Sequence, residues 1–225
     1  ALLETETPLR IRIQADSEAK TLTIEDNGIG MSRDEVIQNL GTIARSGTRE
    51  FAAQLAEGKT EGEENPVESL IGQFGVGFYS SFMVATEVEV KTRKAGASEA
   101  TLWRSSGDGE FQVASTEKEQ PGTQIILTLR DAEPDNGLAD FTEEWPIRET
   151  VKKYSDFVQY PIELKVTRSE PVAVEGDSEE EATDEAESAK FETIVKWETI
   201  NSQKAIWTRS SSDVTDEEYA EFYKH

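Results

Sequence analysis

Three glycines fall within six residues in the run Ile71-Gly72-Gln73-Phe74-Gly75-Val76-Gly77-Phe78-Tyr79-Ser80. Glycine alone takes positive φ at little steric cost, so such a backbone can bend sharply and approach a ligand closely. The large apolar residues that follow predict a helix start near Gly77. Free N–H groups at a helix start attract phosphate. Gly72 and Gly77 have the G-x-x-x-x-G spacing of a P-loop, but that motif continues with Lys and Ser or Thr, and here Phe78-Tyr79 follow. The dinucleotide pattern fails as well, because counting from Gly75 its third glycine position holds Ser80. A nucleotide on this loop would be held by a third design. Taken alone, the run also fits a tight structural turn.

Two further runs point the same way. Thr21-Leu22-Thr23-Ile24-Glu25-Asp26-Asn27-Gly28-Ile29-Gly30-Met31 reads as a short alternating strand that ends in a Gly-x-Gly turn. Asp26 stands at the strand exit. An ionised carboxylate only accepts hydrogen bonds, which suits an exocyclic amine such as that of adenine. Gly28 and Gly30 let a flat ring lie against the backbone, with Met31 as a pliable apolar contact. An isolated Asp-Asn-Gly is also an ordinary turn. In Gly41-Thr42-Ile43-Ala44-Arg45-Ser46-Gly47-Thr48, two glycines six apart flank small and hydroxylated residues. That suits a hinge closing over a ligand, with Arg45 either facing phosphate or simply solvated.

Taken in order, these segments resemble the heat shock protein 90 chaperones, in their bacterial type. That family shares the split nucleotide site of the gyrase, chaperone, histidine-kinase and mismatch-repair ATPases. The resemblance rests on LTIEDNGIGM at 22–31, NLGTIARSGT at 39–48, IGQFGVGFYS at 71–80 and GTQIILTL at 122–129. VKKYSDFVQYPI at 151–162, AIWTR at 205–209 and EEYAEFYKH at 217–225 extend it over nearly the whole chain. It implies a two-layer α/β sandwich with a split ATP site under a mobile lid at about 41–75. Asp26 would read the adenine amine, joined through a shared water by Gly30 and Thr123. Met31 and Leu40 would line the base pocket, Phe78 would wall it, and Asn39 would approach the sugar or phosphates. Gly72, Gln73, Phe74, Gly75, Val76 and Gly77 would wrap the phosphates, with Arg45 nearby. ATP or ADP would be the ligand, with Mg2+. Client proteins and a second copy in a homodimer would be the partners.

In this family the general-base glutamate and a magnesium-completing asparagine sit on a helix before the first strand. Here the chain passes almost directly from Ala1 into Leu9-Arg10-Ile11-Arg12-Ile13. Both residues are therefore expected upstream of Ala1, and the family's γ-phosphate arginine beyond His225. Glu4 and Glu6 lie in an apparent loop with no helix to position a base. The parent is expected to be an ATPase and this stretch alone a weak, nearly inactive binder. A nucleotide-gated binding module without turnover is the second reading, and a DNA-acting ATPase the third.

Charge weighs against the third reading. The formal net charge is −23, and clustered Lys and Arg, which nucleic-acid binding requires, are lacking. Residues 169–190 hold nine carboxylates and one lysine, too charged and too little apolar to fold. They read as a solvated insert or linker within an ATP-binding domain at 1–200, followed at 201–225 by the start of a middle domain. With no cysteine and His225 as the one histidine, thiolate metal sites and a Ser-His-Asp triad are excluded. No apolar run approaches the ~20 residues that span a bilayer, so no membrane role is expected. The absence of cysteine points to a reducing cytoplasm.

Periodicity predicts strands at 9–15, 21–26, 86–93, 100–105, 110–115, 123–130, 162–168 and 191–198. Their alternation predicts a mostly antiparallel sheet with one wet face and helices packed on the other. Helices are predicted from the capping box Ser32-Arg33-Asp34-Glu35, around 48–57, near Gly77, from about Thr142 to Val158, and from Thr215. In the fourth, Pro146 falls in the first turn, and Ile147, Val151, Tyr154 and Val158 form the expected buried stripe.

Overall fold

Successive side chains of a strand point to opposite faces, so alternation of apolar and polar residues commits a sheet to one dry and one wet side. In the computed structural model, residues 7–41, 72, 75–171, 191–204, 215 and 220 are described. Eight strands form one sheet: β1 (Ile11–Asp16), β2 (Thr21–Asp26), β3 (Ala85–Arg93), β4 (Ala100–Ser105), β5 (Gln112–Thr116), β6 (Gly122–Leu129), β7 (Ile162–Pro171) and β8 (Phe191–Thr199). Their spatial order is β5-β4-β3-β6-β2-β1-β7-β8. β1 and β7 run parallel, and every other neighbouring pair is antiparallel. The expected α/β fold with a mostly antiparallel eight-stranded sheet is the fold observed.

Register turns the alternation into continuous rows. Trp103, Val90, Ile125, Ile24, Ile13 and Leu164 are paired in succession from β4 across to β7. All six belong to the hydrophobic core or pack against it. On the wet face the same register sets Glu89 opposite Arg104 and Arg12 opposite Glu163. Both are ion pairs, the second at 2.9 Å.

Helices cover the dry face. α1 (Arg33–Leu40) opens on the expected capping box: the Glu35 N–H donates to Ser32 Oγ, and the Glu35 carboxylate accepts the Ser32 N–H at 2.7 Å. Its Val36 is fully buried. A 3-10 turn at Gly77–Ser80 leads into the short α2 (Ser81–Val84). In α3 (Glu144–Tyr154), Ile147 and Val151 join the same core as Val36. Burying a side chain of this size contributes about 1.5–3 kcal/mol.

Tyr154 corrects one expectation, for it is 73% exposed rather than part of the buried stripe. It is the last residue of α3, which ends when the Ser155 N–H bonds to the Val151 carbonyl at 2.8 Å. Its ring lies in solvent, with the Lys153 ammonium 5.2 Å from the ring centroid. The expected helix at 48–57, Glu4, Glu6, Trp207, Arg209 and most of the expected final helix lie outside the described residues. No helix among the described residues is long and apolar enough to cross a membrane.

β7 and β8 are antiparallel neighbours, and Ser169–Pro171, expected in the solvated acidic segment, instead extend β7 by pairing with Thr193, Glu192 and Phe191, so that residues 172–190 connect the two strands. Beyond β8, the buried Asn201 accepts the Ile162 N–H at 2.8 Å and donates to the carbonyls of Val158 and Tyr160. The Ser202 N–H donates to the Asp156 carboxylate at 2.9 Å. The turn after α3 is thereby tied to both strands.

A charged network fastens α3 to the same two strands. The Glu144 carboxylate accepts from Arg168 at 2.6 and 2.8 Å and from Arg148 at 2.6 Å, and both arginines also bond Glu198. The Arg168 hydrogen bonds, then those of Arg148, outweigh burial and hold the Glu144 carboxyl at about 2 rather than 4.5. A carboxyl whose pKa is lowered by folding stabilises fully above its unfolded value. That contribution disappears as protons bind the native state. The stability supplied by Glu144 should therefore fall away from about pH 4.5 down to about pH 2. Thermal melts across that window should show Glu144→Gln losing stability less steeply with acid than wild type; parallel acid slopes would contradict it.

Candidate functional site

The apolar row gives way to a polar one two residues further along the sheet. Thr101, Thr92 and Thr123 are paired in succession from β4 to β6. Continuing the β2–β6 register by one residue sets Asp26 opposite Thr123. Asp26 is paired in turn with Ile11, and Ile11 with Ile162. Asp26 shares the parity of Leu22 and Ile24, so its side chain points to the covered face. Three hydroxyls and a carboxylate thus end the dry side of the sheet.

The Gly28 N–H donates to Asp26 Oδ1 at 2.8 Å. Burial pushes the Asp26 carboxyl above the ordinary aspartate value. The N–H groups of Gly28 and Thr123 and the Lys118 ammonium work against that rise, and Glu25 adds to it. Lys118 is itself bonded to Glu25 at 2.6 Å. An ionised carboxylate offers about four lone-pair positions, so the backbone donors leave room for a donor from a ligand.

Two glycines let the chain segments meet here. Gly30 has φ +61°, and a Cβ on it would lie 1.9 Å from the Arg93 carbonyl oxygen. Gly122 has φ +117°, and its Cβ would lie 2.2 Å from the Asp26 carbonyl oxygen. Thr92 sits at the centre of the junction, fully buried. Its Oγ1 accepts the Met31 N–H at 2.9 Å and lies 3.1 Å from both the Gly122 carbonyl oxygen and Thr123 Oγ1. Of the expected site residues, Asp26, Gly30, Met31 and Thr123 are therefore gathered at one place.

The remainder are linked through α1. Met31, Leu40 and Phe78 all pack against the core. The Tyr79 hydroxyl donates to the Leu40 carbonyl at 3.1 Å, which fastens the segment after the glycine bend to the far end of α1. α1 is thus the element between the two segments, with Met31 just before it and the Tyr79 contact at its end. Phe78 meets Trp103 edge-on at 5.5 Å. Gly72 and Gly75 have φ of +84° and +63°, and the Gly75 N–H bonds to the Gly72 carbonyl at 3.3 Å. Gly72, Val76 and Gly77 are exposed, while Gly75 and Asn39 are half-buried. Arg45, Gln73 and Phe74 lie outside the described residues.

Sequence reasoning missed Thr92 and Gly122. A threonine in a β-rich run reads as a strand former. Its available signal was parity, because Thr92 follows Val88 and Val90 on the inward face, where a hydroxyl needs a partner. Among the described residues no three His, Cys, Asp or Glu side chains converge to hold a metal. Magnesium keeps several waters and leans on substrate phosphates, so a bound nucleotide would have to supply most of its ligands.

Known proteins resemble this chain in two parts. The profile of the family described as histidine kinase-, DNA gyrase B-, and HSP90-like ATPase matches residues 7–125. The profile described as Hsp90 protein matches residues 140–225. The chaperone protein HtpG of Mycobacterium avium is 50% identical over 217 residues, covering 96% of this chain and 32% of the relative. The proteins of the same name from Mycolicibacterium gilvum and Mycobacterium tuberculosis are each 49% identical, with the same coverage. The chain spans about a third of the length of these curated relatives.

Substitution at the glycines checks the close approach. Gly96 also has positive φ, +81°, but a Cβ there meets nothing within 4 Å. Gly96→Ala should cost about 1–2 kcal/mol in urea unfolding, the conformational term alone. Gly122→Ala adds a backbone collision and should cost more than about 3 kcal/mol. Equal costs would mean that the β2–β6 contact is not tight.

Proposed function

Because the chain belongs to the histidine kinase-, DNA gyrase B- and HSP90-like ATPase family, in its HSP90 branch, we propose that it is the nucleotide-binding unit of an ATP-dependent chaperone. The observation that carries this reading is the half-buried Asp26 carboxylate at the end of the covered face, beside Thr123 and the Gly28–Met31 turn. A half-buried carboxylate with acceptor capacity to spare favours a ligand that brings a donor. The adenine amine meets that requirement. Met31, Leu40 and Phe78 supply apolar contact for the ring, and Gly30 with Thr123 holds a shared water.

The glycine bend would take the phosphates. Positive φ at Gly72 and Gly75 bends the backbone sharply ahead of the turn at Gly77–Ser80, and the N–H groups at the start of that turn would be the ones offered to an anion. Gln73, Phe74, Val76, Asn39 and Arg45 would complete the sugar and phosphate contacts, with Mg2+ carried on the phosphates. Glu25 and Glu35, beside the niche, are engaged with Lys118 and Lys94, so neither is assigned as the general base. Binding, rather than turnover, is the activity proposed for this stretch by itself.

In the whole protein, ATP would draw the segment at about 41–75 closed as a lid. It can do so only by binding the closed state more tightly. Closure would bring two protomers together as a clamp on client proteins in the cytoplasm, and hydrolysis would reset it. The ATP-binding domain would occupy 1–200, with the acidic insert between β7 and β8 at 172–190, and a middle domain would begin at 201–225.

Asp26→Asn tests the site. Asn keeps an acceptor for the Gly28 N–H but can turn an amide donor toward the ligand amine. An unsatisfied buried group costs about 1–3 kcal/mol, so calorimetry should show ADP affinity falling about tenfold or more. The ligand-free melting temperature should hold or rise, because a desolvated charge is removed. Unchanged ADP affinity in a folded variant would contradict the assignment.

A further inference from the structure

We infer that the free edge of β8 is a docking site for an extended polypeptide segment, apolar at alternate positions and acidic between them. The segment would come from a partner protein and would add to the sheet as one more strand. The inference is independent of the nucleotide site.

β8 lies at the end of the sheet, with β7 on one side and, among the described residues, no strand on the other. Along an antiparallel pair, residues alternate between bonding the neighbouring strand and turning their N–H and C=O away from it. The Ile200 N–H donates to the Ile162 carbonyl at 2.9 Å, so the register turns the backbones of Ile194, Lys196 and Glu198 toward β7. Those of Thr193, Val195, Trp197 and Thr199 therefore face outward. A row of open donors and acceptors is a template for another chain, and proteins blunt it with proline, bulges or charge. β8 holds no proline, pairs with β7 without a register shift, and carries no charge at its four outward-facing residues.

The side chains say what kind of strand fits. Thr193, Val195, Trp197 and Thr199 share the wet face, where Val195 is 55% and Trp197 37% exposed. The Arg12 guanidinium lies 4.5 Å from the Trp197 ring centroid and is itself bonded to Glu163 at 2.9 Å, which braces the indole. An incoming strand would set alternate residues beside Val195 and Trp197, and aromatic and β-branched side chains gain most from such cross-strand neighbours. Its other residues would lie on the covered side, beside Ile194, Lys196 and Glu198. Glu198 is bonded to Arg148 and Arg168, while the Lys196 side chain is 44% exposed. On the wet face Lys165, paired with Trp197, adds a second cation. The chain as a whole carries −23, but screening over about 8 Å at physiological salt leaves the edge governed by its own charges. A carboxylate set between apolar residues therefore meets cations there, and a lysine meets like charge.

Amide hydrogen exchange followed by NMR on the full chain tests this, with a capped peptide that alternates valine and glutamate and is as long as β8. At saturation, exchange at the outward amides of Val195 and Trp197 should slow about tenfold or more. Exchange at Ile194, Lys196 and Glu198, already bonded to β7, should hold. A backbone N-methylated version of the peptide keeps the side chains but lacks the donors, and should bind about tenfold more weakly. Lys196→Glu should weaken the valine–glutamate peptide about fivefold and strengthen a valine–lysine peptide by a similar factor, the size of an exposed ion pair. A mere folding defect would weaken both peptides; if that variant does not melt cooperatively, the wild-type comparisons decide. Equal binding of the two peptides to wild type, undiminished binding of the N-methylated one, or slowing of the β7-facing amides in step with the outward ones would overturn the inference. Protection of Val195 and Trp197 in the peptide-free chain at rising concentration would also overturn it, by making a second copy the occupant.

Discussion

The contact between the exit of β2 and the start of β6 is the constraint on which the site depends. Gly122 lets its backbone come so near the Asp26 carbonyl that a side chain there would lie 2.2 Å from it. Gly30 does the same against the Arg93 carbonyl at the end of β3. With both approaches in place, the Met31 N–H reaches Thr92 and Asp26 stands opposite Thr123. If either glycine gained a side chain, the turn after β2 would be pushed off the sheet, and the carboxylate would lose the donors that now hold it.

Asp26 is kept against the interest of stability. Burial makes its charged form unfavourable, and the surrounding N–H groups and Lys118 only partly offset that. The opposite holds at the other end of the covered face, where Glu144 is stabilised as an anion by two arginines. One carboxylate ties α3 to β7 and β8; the other has acceptor capacity left over at the edge of the core. A strained or under-satisfied polar group in a well-packed fold is a mark of function rather than of architecture.

Much of the fold was legible because a sheet with one wet face writes itself as alternation. All eight strands were placed in the sequence, many of them by that alternation, and the Ser32 capping box was legible because its hydrogen bonds are local. Tyr154 was misjudged because helical periodicity is weakest at the last residue of a helix, where the chain turns and the side chain is no longer held by the next turn. The base-reading half of the site was readable from Asp26-Asn27-Gly28-Ile29-Gly30, since its special backbone is encoded in consecutive residues. Thr92 and Gly122 were not, because their importance comes from strand register between segments 30 residues apart. Periodicity carries no register, so a buried threonine and a strand-initial glycine look ordinary until the strands are paired.

The central claim is that a purine sits at the sheet edge between Asp26 and Thr123. Backbone amide NMR during ADP titration tests it most directly. The largest shifts should fall on Gly28, Met31 and Thr123, with Thr92 following because its hydroxyl joins the last two. Shifts confined to the shallow depression at the end of α3, lined by Lys152, Tyr154, Phe157 and Val158, with the β2 exit unmoved, would contradict the account.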